Sequence, residues 1–141
     1  DVMSRRNPIE IDSRELDRQL KKAIRRNPEL AAKKLTAIAC NLAGRSARLA
    51  PVDTGDLRNN CSAEINGSTV FTNKSKCGEA VPSLKLSAKI GYSLRYAVRQ
   101  HEELGYKHPK GGQAKFLEQP FSENEQKYID MLKSIPDEAL R

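Results

Sequence analysis

The chain has 141 residues, a length that favours one domain around one core. Hydrophobic residues make up 38% and charged residues 30%, which excludes full disorder, and no apolar run approaches the ~20 residues that span a bilayer. Net charge is +7, and with no Trp, four Tyr and three Phe the core must be mainly aliphatic and alanine. Small cores of that kind often gain stability by association, which hints at an oligomer.

Residues 1–7 are polar and expected to fray. Pro8-Ile9-Glu10-Ile11 alternates and reads as a short edge strand, where a leading proline is tolerated. Asp12 or Ser13 then offers an N-cap, and Glu15 stands three residues after Asp12 as in a capping box. A first helix follows to about Arg26, with Leu16, Leu20, Ala23 and Ile24 as its apolar stripe. Asn27-Pro28 breaks it and at once starts a second helix, with asparagine as cap and proline at the first helical position. Leu35, Ile38, Ala39, Leu42 and Leu49 recur along one side of that helix.

Pro51 ends the second helix, because it cannot donate an i−4 bond and pushes Ala50 out of the helical region. Asp53, Thr54 and Gly55 supply turn chemistry, and Asp56-Leu57-Arg58 leads into alternation from Leu57 to Ile65. Asn66-Gly67 predicts a type I′ hairpin, with Thr69-Val70-Phe71 as the returning strand. Leu84, Leu86, Ala88 and Ile90 alternate with polar residues and predict a third strand ending at Gly91. The stretch from Tyr92 to Glu103 fits either more strand or a short helix. Gly105 to Lys115 reads as a long loop. Pro120 opens a last helix whose apolar face is Phe121, Tyr128, Met131, Leu132 and Ile135.

These elements make a single domain over 1–141. A strand-plus-helical part spans 8–50, a sheet part 51–104, a loop 105–119 and a closing helix 120–135. The expected fold is α+β: an antiparallel sheet of about three to four strands, with a long N-terminal helical pair and a C-terminal helix packed on it.

Charge is unevenly placed, with 12 Lys/Arg against 6 Asp/Glu in residues 1–50. Arg18, Lys21, Lys22, Arg25 and Arg26 make the basic face of the first helix, which suits DNA, an acidic protein or plain solvent. Cys40, Cys61 and Cys77 are odd in number and show no C-x-x-C spacing, which argues against a zinc ribbon and a secreted disulfide scaffold. Cys40 and Cys61 fall on apolar faces and read as small core residues, and a reducing compartment is expected. The N-terminus shows no signal-peptide apolar region. His101-Glu102 lacks the second histidine of a zincin helix, since position 105 is Gly105. A metal-dependent hydrolase would need Asp53, His101, Glu102 and His108 to converge. Gly111-Gly112 lacks the Gly-Lys-Ser/Thr ending of a phosphate loop. No nucleophile motif surrounds Ser46, Ser62 or Ser93.

Two segments together resemble a known family. The first is Ala50-Pro51-Val52-Asp53-Thr54-Gly55-Asp56-Leu57-Arg58. The second comprises Tyr96-Ala97, then His101-Glu102, then Gly111-Gly112-Gln113-Ala114-Lys115-Phe116-Leu117-Glu118-Gln119-Pro120-Phe121. In this order the chain resembles the small minor-capsid or neck proteins of tailed bacteriophages and prophages, the head–tail joining or tail-completion proteins. The likeness covers roughly residues 8–135. One departure is Gln100-His101-Glu102-Glu103-Leu104-Gly105-Tyr106, where the family often carries Glu-x-Gly-Thr.

The resemblance implies a structural, non-catalytic virion protein without cofactor or metal, assembled in the bacterial cytoplasm and placed at the neck. Its implied partners are further copies in a homo-oligomeric ring, the head-connector or portal-adaptor protein, the tail-terminator protein and DNA in the channel, with no membrane. Pro51, Asp53, Thr54, Gly55, Leu57 and Arg58 form the motif corner. Tyr96, His101, Glu102, Gln113, Phe116, Leu117 and Pro120 are the motif-loop and interface candidates. The alternative is a small basic nucleic-acid-binding module using the same helices, which would bind DNA or RNA with strong salt dependence.

Overall fold

A computed structural model describes residues 13–50, 61–72, 77–92 and 116–137. The expected edge strand at 8–11, the corner at 51–58, the stretch 93–103 and the loop 105–115 lie outside the described residues. The elements in order are α1 (Arg14–Arg26), α2 (Pro28–Leu49), β1 (Cys61–Ile65), β2 (Ser68–Thr72), β3 (Ala88–Tyr92) and α3 (Glu118–Lys133). The architecture is α+β, with three antiparallel strands among the described residues in the order β2-β1-β3.

Ser13 caps α1, its Oγ accepting from the Leu16 N–H at 3.2 Å. Asn27 ends α1 and starts α2 in one residue. Its N–H donates to the Ala23 carbonyl, its Oδ1 accepts from the Leu30 N–H at 3.2 Å, and Pro28 occupies the first turn. The chain therefore reverses with no loop between the two helices. At ~1.5 Å per residue α2 is about 33 Å long. It is the central strut, touching all three strands on one side and α1 and α3 on the other. Ala31, Ala39, Ala43 and Ala47 are buried along it, and their small side chains let neighbouring backbones come close. The β1 thiol of Cys61 donates to the carbonyl of Ala43 at 3.5 Å, which measures how closely strand and helix approach. Ala50 closes α2 at φ −61°, ψ 145°, the extended conformation that a following proline imposes.

The hairpin turn is as expected: Asn66 (φ 50°) and Gly67 (φ 84°) both take the positive φ of a type I′ turn. Asn66 has a second task. Its Nδ2 donates to the Lys85 carbonyl and its Oδ1 accepts from the Ser87 N–H, each at 2.9 Å, so the turn clamps the run into β3. The third strand is shorter than the alternation suggested, starting at Ala88 and not Leu84. The Lys85 N–H goes to Ser83 Oγ at 3.2 Å and the Lys85 carbonyl to Asn66, so side chains take the groups a ladder would need. Leu84 stands 80% exposed as a result.

β2 carries a bulge that the sequence did not reveal. Ala63 pairs with Phe71 and Glu64 with Thr69, leaving Val70 as the extra residue. The Val70 carbonyl accepts from the Gly78 N–H at 2.7 Å, and a Cβ on Gly78 would sit only 3.4 Å from Val70 Cα and O. The segment after β2 thus lies directly against the bulge.

Beside it, Cys77 forms a disulfide with Cys40 of α2, with Cα atoms 5.8 Å apart. This corrects the reading of Cys40 as a free core thiol. Cys61 alone is free, and it is buried as expected.

α3 opens at Glu118, two residues before Pro120. Proline is tolerated there because the first N–H groups of a helix have no intrahelical acceptor. The helix lies against α1 and α2. Ser13 donates to Glu125, and the Tyr128 hydroxyl donates to Asn41 Oδ1 at 2.7 Å. Arg26 donates from Nε to the Ile135 carbonyl at 3.0 Å and from Nη2 to the Leu132 carbonyl at 2.9 Å. A guanidinium at the C-terminal end of a helix satisfies orphan carbonyls and suits the dipole.

Candidate functional site

Four chain ends meet at one end of the molecule. Ala50 leaves α2, Cys61 enters β1, Tyr92 leaves β3 and Phe116 leads into α3. All four are buried. Cys61 pairs with Tyr92 across the ladder. The Tyr92 hydroxyl hydrogen-bonds Ser46 Oγ at 2.6 Å, one helical turn before Ala50, whose N–H bonds the Ser46 carbonyl. The Tyr92 and Phe116 rings stack edge to face with centroids 5.2 Å apart, a favoured aromatic geometry. Ala50, Cys61, Tyr92 and Phe116 therefore form one buried knot, with Ala50 from the first family-like motif and Phe116 from the second.

Three of the interface candidates are described, and they sit in or beside the knot. Phe116 is fully buried, Leu117 is 3% exposed and Pro120 is also buried, so their side chains anchor α3 in this chain's own core. Pro51, Asp53, Thr54, Gly55, Leu57, Arg58, Tyr96, His101, Glu102, His108 and Gln113 lie outside the described residues. Ser46 and Tyr92 went unnoticed as a pair in the sequence. They are 46 positions apart, and nothing in their spacing signals the contact.

The basic face of α1 divides by partner. Arg18 pairs with Glu15 at 2.5 Å and Lys21 with Asp17 at 3.0 Å, both well exposed and so worth little to stability. Arg26 is committed to the end of α3, which removes it from a face offered to a partner. Lys22 and Arg25 are exposed and form no ion pair among the described residues. Among the described residues no group of three His, Cys, Asp or Glu could hold a metal ion. No helix there is long and apolar enough to cross a membrane.

Burial pushes the Cys61 thiol up to about 11 from 9.0, partly opposed by the Tyr92 hydroxyl. A folded-state value above the unfolded one means the fold favours the neutral thiol. Its contribution is complete below pH 9 and is lost as pH rises through 11. Urea unfolding midpoints are expected to hold level up to about pH 9 and then fall, with a shallower fall in Cys61→Ala. An equal alkaline decline in both proteins would show that this thiol does not cause it.

No family model, no curated protein and no solved structure matches the chain.

Proposed function

We propose that this chain is a structural component of a tailed-phage or prophage virion, working at the head–tail junction through ring-forming contacts. The observation that carries this reading is the buried knot of Ala50, Cys61, Tyr92 and Phe116. Ala50 of the first family-like stretch and Phe116 of the second both belong to this knot, through Ser46 and Tyr92, so the described parts of the two stretches are joined in one fold. A contact between unlike surfaces of successive copies closes into a ring when the rotation allows. The α+β order of helical pair, hairpin, strand and closing helix supports the same reading. Lys22 and Arg25 then face an acidic neighbour or DNA in the channel.

The test is mass in solution by light scattering over a concentration range, with negative-stain images of any large species. A ring of fixed copy number is the expected result. A monomer at every concentration that binds free DNA, with affinity falling steeply in salt, would overturn the neck reading and favour a nucleic-acid-binding module. The variant Arg18→Gln, Lys21→Gln, Lys22→Gln, Arg25→Gln, which spares Arg26, is expected to impair head–tail joining. Normal joining would remove the basic face from the mechanism.

A further inference from the structure

A cleft of about 500 Å³ lies between α2 and the bulged end of β2, and both halves of the Cys40–Cys77 disulfide line it. Phe71 forms part of its apolar wall, and among the described residues Arg48 is the only charged one lining it. A Cβ added to Gly44 would sit 3.8 Å from Arg48 Nη1, so the guanidinium lies over the glycine and within the cleft. Cys77 is exposed and Cys40 half-buried, so Cys77 is the more open residue of the pair. Each sulfur already has a carbonyl oxygen beside it. Val70 O is 3.7 Å from Cys40 Sγ and Thr36 O is 3.7 Å from Cys77 Sγ. A disulfide sulfur carries no hydrogen and cannot use these acceptors, but a thiol can. On reduction the two sulfurs must move apart to van der Waals distance, and each thiol then has a carbonyl acceptor close by.

We propose that this cleft is a thiol–disulfide exchange site, at which an anionic low-molecular-weight thiol of the glutathione class forms a mixed disulfide with Cys77. The thiolate attacks Cys77 Sγ and a new S–S bond forms between them. The Cys40–Cys77 bond breaks, and its electron pair leaves on Cys40 as a thiolate that takes a proton from water. A second thiolate attacks the sulfur of the bound thiol, releasing the symmetrical disulfide and leaving Cys77 reduced. Two small thiols thus supply the two electrons that the protein disulfide accepts, and the reverse sequence reforms it. The Arg48 guanidinium selects the ligand, because its planar fork holds a carboxylate through two charge-assisted bonds. None of this depends on the assembly role.

The test uses the full-length oxidised protein. Its reduction is followed by quenched alkylation and mass mapping, with glutathione, neutral 2-mercaptoethanol or cationic cysteamine, each rate corrected to thiolate concentration. The glutathione thiolate is expected to react about tenfold faster than the cysteamine thiolate, given what a charge-assisted hydrogen bond contributes. In Arg48→Gln that ratio should fall to about one, and Arg48→Lys should restore part of it. The transient adduct should map to Cys77. A ratio unchanged in Arg48→Gln, or an adduct confined to Cys40 or Cys61, overturns the proposal. So does a protein whose Cys40 and Cys77 stay fully alkylatable after treatment with glutathione disulfide.

Discussion

Phe116→Ala is expected to lower the unfolding free energy by about 3–5 kcal/mol, the usual cost of emptying a buried aromatic site. Phe116 has no exposed surface, and its ring meets the face or edge of Tyr92 at 5.2 Å. Removing it leaves a hole beside the Ser46–Tyr92 hydrogen bond, where α2, β3 and the lead into α3 converge. Domains of this size are stable by about 5–15 kcal/mol in total, so much of the margin would go. Urea unfolding followed by circular dichroism measures it. The result also separates two roles for the residue. A contact reserved for a partner would leave the isolated chain's midpoint unchanged, and that outcome would take Phe116 out of the core.

Tyr128→Ala should cost a similar ~3–5 kcal/mol, whereas Tyr128→Phe should cost only about 1 kcal/mol. The ring is fully buried in α3, and its hydroxyl donates to Asn41 Oδ1, which also accepts from Arg45 Nε at 2.9 Å. Phenylalanine keeps the packing and leaves Asn41 with Arg45 as a donor. Alanine loses packing and hydrogen bond together, between the central strut and the closing helix. Burial also raises the tyrosine's own pKa, with Arg45 opposing, so the neutral hydroxyl is the form the fold holds. Equal losses in the two variants would assign the site's value to the hydroxyl and contradict the packing account.

Features set by neighbouring residues were legible in the sequence. Asn27-Pro28 announced the break between α1 and α2, because cap and first-turn chemistry sit side by side. Asn66-Gly67 announced the turn, because both positions must take positive φ. Pairing across distance was not legible. Cys40 and Cys77 are 37 residues apart, and an odd cysteine count pointed away from a disulfide scaffold. The Val70 bulge depends on the Gly78 backbone pressing against it, which no alternation pattern encodes. Leu84 continued an apolar alternation past the point where side chains replace the ladder. Arg26 looked like one more surface cation, and only the position of α3 shows that it closes the end of another helix. The burial of Phe116 and Leu117 at the core knot was not legible. Phe116 and Leu117 look the same in a sequence whether they face a partner or their own chain.

The bonds from α1 to α3 also fix an order of events during synthesis. Arg26 must wait 109 positions for the Ile135 carbonyl. At about 5–20 residues per second that wait lasts roughly 5–20 s, longer still while the exit tunnel hides the last helix. Until then Leu20, Ala23 and Ile24 have α2 to rest on but not α3, so the nascent chain carries an unfinished apolar surface. Chaperone dependence should therefore be set by how fast α3 emerges, more than by the stability of the finished molecule.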